Sequence, residues 1–94
     1  MRVTVRLPGA LRELAHGERA LEVDVAEPVT VRTLLDAVAD GWPAIERRIR
    51  DEAGVLRTHV NVFVGDANVR DLGGQDVALA DGAEVHVIPS ISGG

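Results

Sequence analysis

The residues with the clearest chemical meaning are Gly93 and Gly94, at the end of Pro89-Ser90-Ile91-Ser92-Gly93-Gly94. Neither carries a Cβ, so the backbone there is slim, accepts unusual dihedrals and lets the chain approach another surface closely. From Pro89 onward such a segment reaches about 20 Å when extended. A flexible arm of that length, residues 90–94, is expected to enter a narrow tunnel in another protein and present the Gly94 carboxylate. A terminal carboxyl with a pKa of about 3.5 is ionised at neutral pH and is a poor electrophile.

No other constellation of reactive groups is legible. His16 sits beside a turn, His59 at a strand start and His86 on a strand. They lack the H-x3-H type of spacing that holds a metal, so no metal site is expected. Cysteine is absent, which removes disulfides, thiolate nucleophiles and Cys-based metal sites together. Convergent acid–base groups are missing too, so no catalytic constellation is expected within the chain.

Composition narrows the partners. Ninety-four residues, 46% of them hydrophobic, make one domain with one core. A single Phe and a single Trp leave that core to Val, Leu, Ile and Ala. The formal net charge of -5 argues against nucleic acid or an anionic membrane as the main partner, because phosphate binding requires a basic face. Met1 to Pro8 has no secretory apolar stretch, and no apolar run is long enough to span a membrane. A cytoplasmic location is expected. Lysine is absent, every basic side chain being Arg or His. A protein activated at its own C-terminus then forms no isopeptide with its own side chains, although drift from Lys to Arg in a GC-rich genome gives the same composition.

The elements that must carry the tail follow from periodicity. Val3, Val5 and Leu7 alternate with Arg2, Thr4 and Arg6, which predicts a half-buried strand ended by Pro8-Gly9. A short helical turn with Leu11 and Leu14 follows, then a second strand with Leu21, Val23 and Val25. Thr30 stands at an N-cap position, and Val31, Leu34, Leu35 and Val38 form a helical stripe over roughly 30–40. Gly41 and Pro43 interrupt it, and Ile45 and Ile49 predict a second helical piece over about 43–52. Strand pattern returns at Val60, Val62 and Val64. Gly65-Asp66-Ala67-Asn68 is turn chemistry, Val69-Arg70 a short return strand, and Asp81-Gly82 a tight turn before the last strand, Glu84 to Ile88. The order predicts an α+β fold with one main helix packed across a mixed sheet of four to five strands, the first and last strands adjacent in its middle.

Several of these segments together carry a resemblance. Val85-His86-Val87-Ile88-Pro89 followed by Ser90-Ile91-Ser92-Gly93-Gly94, the Asp81-Gly82 turn, Thr30-Val31 with Leu34-Leu35, and Trp42-Pro43-Ala44-Ile45 are similar to the MoaD/ThiS sulfur-carrier family. The similarity spans nearly the whole chain, is most specific in the tail and is least specific in residues 9–28. His59 to Val64, continuing to Asn68-Val69-Arg70, resembles most the actinobacterial carrier that feeds cysteine synthesis.

That resemblance implies a ubiquitin-like β-grasp domain over 1–89 and a Gly-Gly tail over 90–94. It implies that an E1-like activating enzyme uses ATP to adenylate Gly94, with Gly93 beside it. A sulfur donor then converts the acyl-adenylate to a thiocarboxylate, and a sulfur-acceptor synthase takes the sulfur. No cofactor is bound by the chain itself; ATP belongs to the partner. The lack of cysteine agrees, since no side-chain persulfide is possible. Two other fates stay open on the same tail: the small subunit of a molybdopterin synthase, and a ubiquitin-like modifier joined to lysines of other proteins.

A docking surface is expected on the outward face of the sheet. Phe63 lies between inward valines, His86 between inward Val85 and Val87, and Ile88 one step further on. With Arg6 and, in the tail, Ile91, these form an exposed patch leading to Gly94, and contiguous apolar surface marks partner sites. The alternative places Phe63 under the loop around Gly73-Gly74, and His86 as a solvated surface histidine. Arg47, Arg48 and Arg50 read as a solvated helix face, and Asp66 and Asn68 as turn residues.

Overall fold

The computed structural model describes residues 1–89. Strand β1, Arg2–Arg6, forms where valine alternates with polar residues: Val3 and Val5 are fully buried while Arg2 and Arg6 face water. A short helix α1, Gly9–Arg12, and a 3-10 turn at Glu13–Ala15 reverse the chain into β2, Ala20–Asp24. The reversal is completed at His16, a non-glycine residue with φ 55, and Gly17.

Helix α2, Val31–Gly41, is the main helix. Thr30 and Thr33 cap it reciprocally: the Thr30 hydroxyl accepts from the Thr33 N–H (3.2 Å), and the Thr33 hydroxyl accepts from the Thr30 N–H (2.9 Å). Val31, Leu34, Leu35 and Val38 recur every three or four residues and are wholly buried against the sheet. Truncating one such leucine to alanine costs about 2–5 kcal/mol by lost transfer energy and cavity formation. Trp42 ends α2, packs against the core and is followed at once by Pro43, the first residue of α3, Pro43–Ile49.

The remaining strands are β3, Val60–Val64, β4, Ala67–Asn68, and β5, Glu84–Pro89. The five strands stand in the order β2-β1-β5-β3-β4. β5 is therefore central, parallel to β1 with Val5 opposite Val85, and antiparallel to β3 with Val62 opposite Val87. The expected adjacency of first and last strands, and the α+β architecture, are both present. The Asp81-Gly82 turn sets this register: the Gly82 N–H donates to Arg2 O (2.9 Å), and the Arg2 N–H donates to Asp81 Oδ1 (3.0 Å). Gly82 has φ +82, a conformation costly for residues with a Cβ.

Three local expectations need correction. The return strand is Ala67–Asn68, not Val69-Arg70. The Asn68 side chain accepts from the Arg70 N–H (3.0 Å) and starts a 3-10 turn at Val69–Asp71 that drops Val69 into the core. Helix α3 ends at Ile49 rather than near 52, because Asp51 Oδ1 accepts from the N–H groups of Ala53 (2.8 Å) and Val55 (3.0 Å) and draws the chain into a turn.

The third correction concerns Arg50, which does not belong to a solvated face. Only 6% of it is exposed. Its guanidinium donates to Glu46 on α3, to Asp36 on α2 (2.9 Å) and to Gln75 in the loop before β5 (3.1 Å). Gln75 in turn donates to Gly54 O (2.8 Å). Burial opposes the charge on Arg50, and the bonds to Glu46 and Asp36 outweigh it, holding its pKa above the ordinary arginine value. Arg47 and Arg48 are exposed, as the helical spacing suggests.

Candidate functional site

The candidate site is the outward face of the central strands and the point where β5 ends. Val85 and Val87 point into the core, so Glu84, His86 and Ile88 point away from it. On β1 the residue opposite His86 is Arg6; on β3 it is Phe63. Arg6, His86 and Phe63 thus stand side by side across three strands. Ile88 lies one outward step further along β5 and is 44% exposed. The four described residues expected to form the patch are brought together.

Phe63, His86 and Ile88 border a shallow hollow of about 530 Å³, closed by Gly65, Asp66 and Glu84. Phe63 therefore sits on the outward face and not under the Gly73-Gly74 loop. The hollow is apolar on one side and anionic on the other. Glu84 accepts from Arg6 Nε, and His86 Nε2 lies 3.8 Å from Glu84 Oε1. The hydrogen bond from Arg6, reinforced by its charge, holds the Glu84 carboxyl below the usual carboxylate range and raises Arg6 above its ordinary value.

A second groove, of about 290 Å³, is lined by His86, Ile88 and Pro89 together with Arg6, Arg12 and Arg19. Arg12, which lines this groove, donates from Nε to Leu7 O (3.2 Å). On the far side of Pro89 a smaller, apolar recess of about 190 Å³ is lined by Ala10, Leu11, Val60 and Val87, with Arg48 on its rim. Pro89, the last described residue, thus shares these two hollows with arginines from β1, from the segment after it and from α3, in a protein whose net charge is negative. Ile91, Gly93 and Gly94 lie outside the described residues.

Glu84, Arg12 and Arg19 did not emerge from the residue pattern as site members. Glu84 was within reach, since it precedes His86 by two on a strand and must share its face. Arg12 and Arg19 were not: they meet only because the turn at His16-Gly17 folds the chain back. Among the described residues no group of three acidic or histidine side chains that could hold a metal occurs, and no helix is long and apolar enough to cross a membrane.

Comparison with known proteins fits this geometry. The sulfur carrier protein CysO of Mycobacterium tuberculosis is 32% identical over 96 aligned residues, spanning all of both chains. The small archaeal modifier protein 1 of Haloferax volcanii is 38% identical over 84 residues, covering 89% of this chain and 91% of its own. A chain of the crystal structure of the Amycolatopsis orientalis BexX/CysO complex superposes with a TM-score of 0.84 at 33% identity, over 98% of this chain and 99% of that one. Residues 5–94 match the model of the ThiS family. A central β5 in a ubiquitin-like β-grasp sheet, and a family pattern running from β1 through Gly94, lead to one conclusion: the chain belongs to the ThiS family and is a sulfur-carrier protein of the CysO/ThiS/MoaD type.

Proposed function

We propose that the chain works as a sulfur-donating co-substrate in the cytoplasm. An oxygen of the Gly94 carboxylate attacks the α-phosphate of ATP on an activating enzyme and releases pyrophosphate. A sulfur donor then displaces AMP from the acyl carbon and leaves a thiocarboxylate. That sulfur is soft, anionic and nucleophilic; it attacks the acceptor held by a synthase, and hydrolysis of the acyl link restores the carboxylate. Cysteine, or a specialised sulfur-containing metabolite, is the product class favoured by the likeness to CysO.

The observation that supports this reading best is the family match over residues 5–94, a span that includes Gly93 and Gly94. The Arg6–His86–Phe63 row and Ile88 serve as the surface that the activating enzyme holds while residues 90–94 enter its site. The likeness to a chain of the BexX/CysO complex supports a working partner of this kind.

Intact mass tests the reading. Incubation with an activating enzyme, ATP and a sulfur source should replace one oxygen by sulfur, and deletion of Gly94 should abolish the gain. An unchanged mass with every candidate activator rejects the proposal. Attachment to other proteins is a second reading, favoured by the 38% identity to the archaeal modifier. Gly94 isopeptides on cellular lysines would select it, whereas stable co-purification with a large synthase subunit would select the molybdopterin role.

A further inference from the structure

The pairing of β1 with β5 stops at two prolines. The Thr4 N–H donates to Ala83 O (3.0 Å), and the parallel register continues from Val5 opposite Val85 to Arg6 opposite His86. In a parallel ladder each strand donates to its neighbour from every second residue, so the next donor on β1 after Arg6 is residue 8. That residue is Pro8, which has no N–H. Pro89, the donor position on β5 after Val87, has none either. The ladder closes there, and Val87 O points toward β1 with no strand donor to meet it.

The same corner carries the groove that holds Arg12 and Arg19. Its apolar lining is Leu7, Pro8, Val87, Ile88 and Pro89, and no carboxylate lines it. Elsewhere Arg2, Arg6, Arg32 and Arg50 each pair with a carboxylate of the chain. Among the described residues Arg12 and Arg19 pair with none. Arg12 spends only its Nε, on Leu7 O (3.2 Å), so its two terminal nitrogens keep their donors. With fifteen acidic residues against ten basic ones, the chain is acidic as a whole. A groove lined by guanidinium groups and by no carboxylate reverses that charge locally.

The groove therefore offers two cations, an apolar wall and a backbone acceptor. A phosphate ion or a nucleic acid backbone answers the cations, but brings no donor for Val87 O and gains nothing from the apolar wall. An extended polypeptide brings all three complements: backbone N–H groups along its edge and alternating side chains for the wall and the arginines. Carboxylates are the side chains that guanidinium groups bind best, through charge-assisted and often forked hydrogen bonds.

We infer that this corner is the docking site for an extended acidic segment of a partner protein. One backbone N–H of that segment bonds Val87 O, and its carboxylates engage Arg12 and Arg19. The site is built from residues 7–89 alone, and neither Gly94 nor its activation enters it. It gives a partner a charge-selective contact separate from the apolar Phe63–Ile88 hollow.

NMR of the uniformly labelled full chain at low salt tests this with a capped nonapeptide in which glutamate alternates with leucine or serine. The peptide should shift the amides of Leu7, Arg12, Arg19 and Ile88, and should move the Val87 carbonyl carbon downfield, as a new hydrogen bond to that oxygen does. The same peptide with glutamine for glutamate should bind at least tenfold more weakly. Arg12→Gln combined with Arg19→Gln should lower affinity at least tenfold, Arg19→Gln alone should lower it measurably, and the distal Arg32→Gln should leave it within twofold. Inorganic pyrophosphate and a thymidine oligonucleotide are the competing probes. No shift at millimolar acidic peptide, equal binding of the glutamine peptide, or tighter binding of either phosphate probe overturns the inference. So does an unmoved Val87 carbonyl, or an affinity unchanged in both arginine variants. Failure of Gly94 adenylation would remove the proposed function and leave these outcomes as they are.

Discussion

Phe63 on β3 and His86 on β5 are directly opposed, both on the face of the sheet turned away from α2. The pairing places an aromatic ring against an imidazole at the centre of the sheet, with Ile88 beside them and the acidic wall of Asp66 and Glu84 across the hollow. The residues packed on the other, buried face of these strands are Val62, Val85 and Val87.

Phe63→Asp and Ile88→Asp should each weaken binding of the activating enzyme by tenfold or more, a loss of about 1.4 kcal/mol typical of a central contact residue. Circular dichroism and melting should be nearly unchanged. Titration calorimetry checks the affinity, and unaltered binding by both variants would remove the sheet face from the docking surface.

The Arg6–Glu84 pair predicts a pH effect whose sign is determined. Glu84 is held below its ordinary pKa by the hydrogen bond from Arg6 and by its charge. The pair's contribution to stability is therefore complete above the ordinary glutamate pKa and is lost as pH falls through the lowered one. Carboxyl NMR titration should find the Glu84 midpoint raised in Arg6→Gln. Both side chains are half exposed, so the change in melting temperature should be small.

Arg50 should behave as a buried strut. Arg50→Ala leaves the largely buried Glu46 carboxylate unpaired and should cost about 3 kcal/mol in denaturant unfolding. Replacing both residues by apolar ones of similar size, Glu46→Leu with Arg50→Met, should recover much of that loss. A loss below about 1 kcal/mol for the single variant would show that the network contributes little.

Gly82→Ala should destabilise the fold by about 1–2 kcal/mol, because φ +82 forces a Cβ toward the neighbouring carbonyl. Nothing lies within 4 Å of the added methyl, so the cost comes from backbone strain and not from a clash. Gly82→Asn should be milder, since Asn tolerates this region better. Equal stability of all three proteins in urea would contradict the assignment.

Much of the fold was legible in the residues. Two-residue alternation in β1, β2 and β5 and the Val31-Leu34-Leu35-Val38 stripe are local signals, and each maps to the element expected. Alternation also assigned Arg6, Phe63, His86 and Ile88 to the outward face, because a strand leaves only two directions for a side chain. Side chains that redirect their own backbone were harder to read. Asn68 and Asp51 bond to N–H groups two to four residues on, and such bonds compete with regular structure without altering the hydrophobic pattern.

The amino-acid sequence alone determined the Gly93-Gly94 pair, the absence of cysteine and lysine from the 94 residues, and the periodicities that select a sheet with one main helix. These are properties of composition and of neighbours along the chain. Only the tertiary structure decided that Arg50 is buried among Glu46, Asp36 and Gln75, and that Arg6, Arg12, Arg19 and Arg48 gather around Pro89. Those meetings join residues far apart in the chain, and they depend on the parallel register of β1 with β5 and on the reversal at His16-Gly17. Charge and spacing along a chain do not encode which arginine finds a carboxylate, because that is settled when separate elements pack.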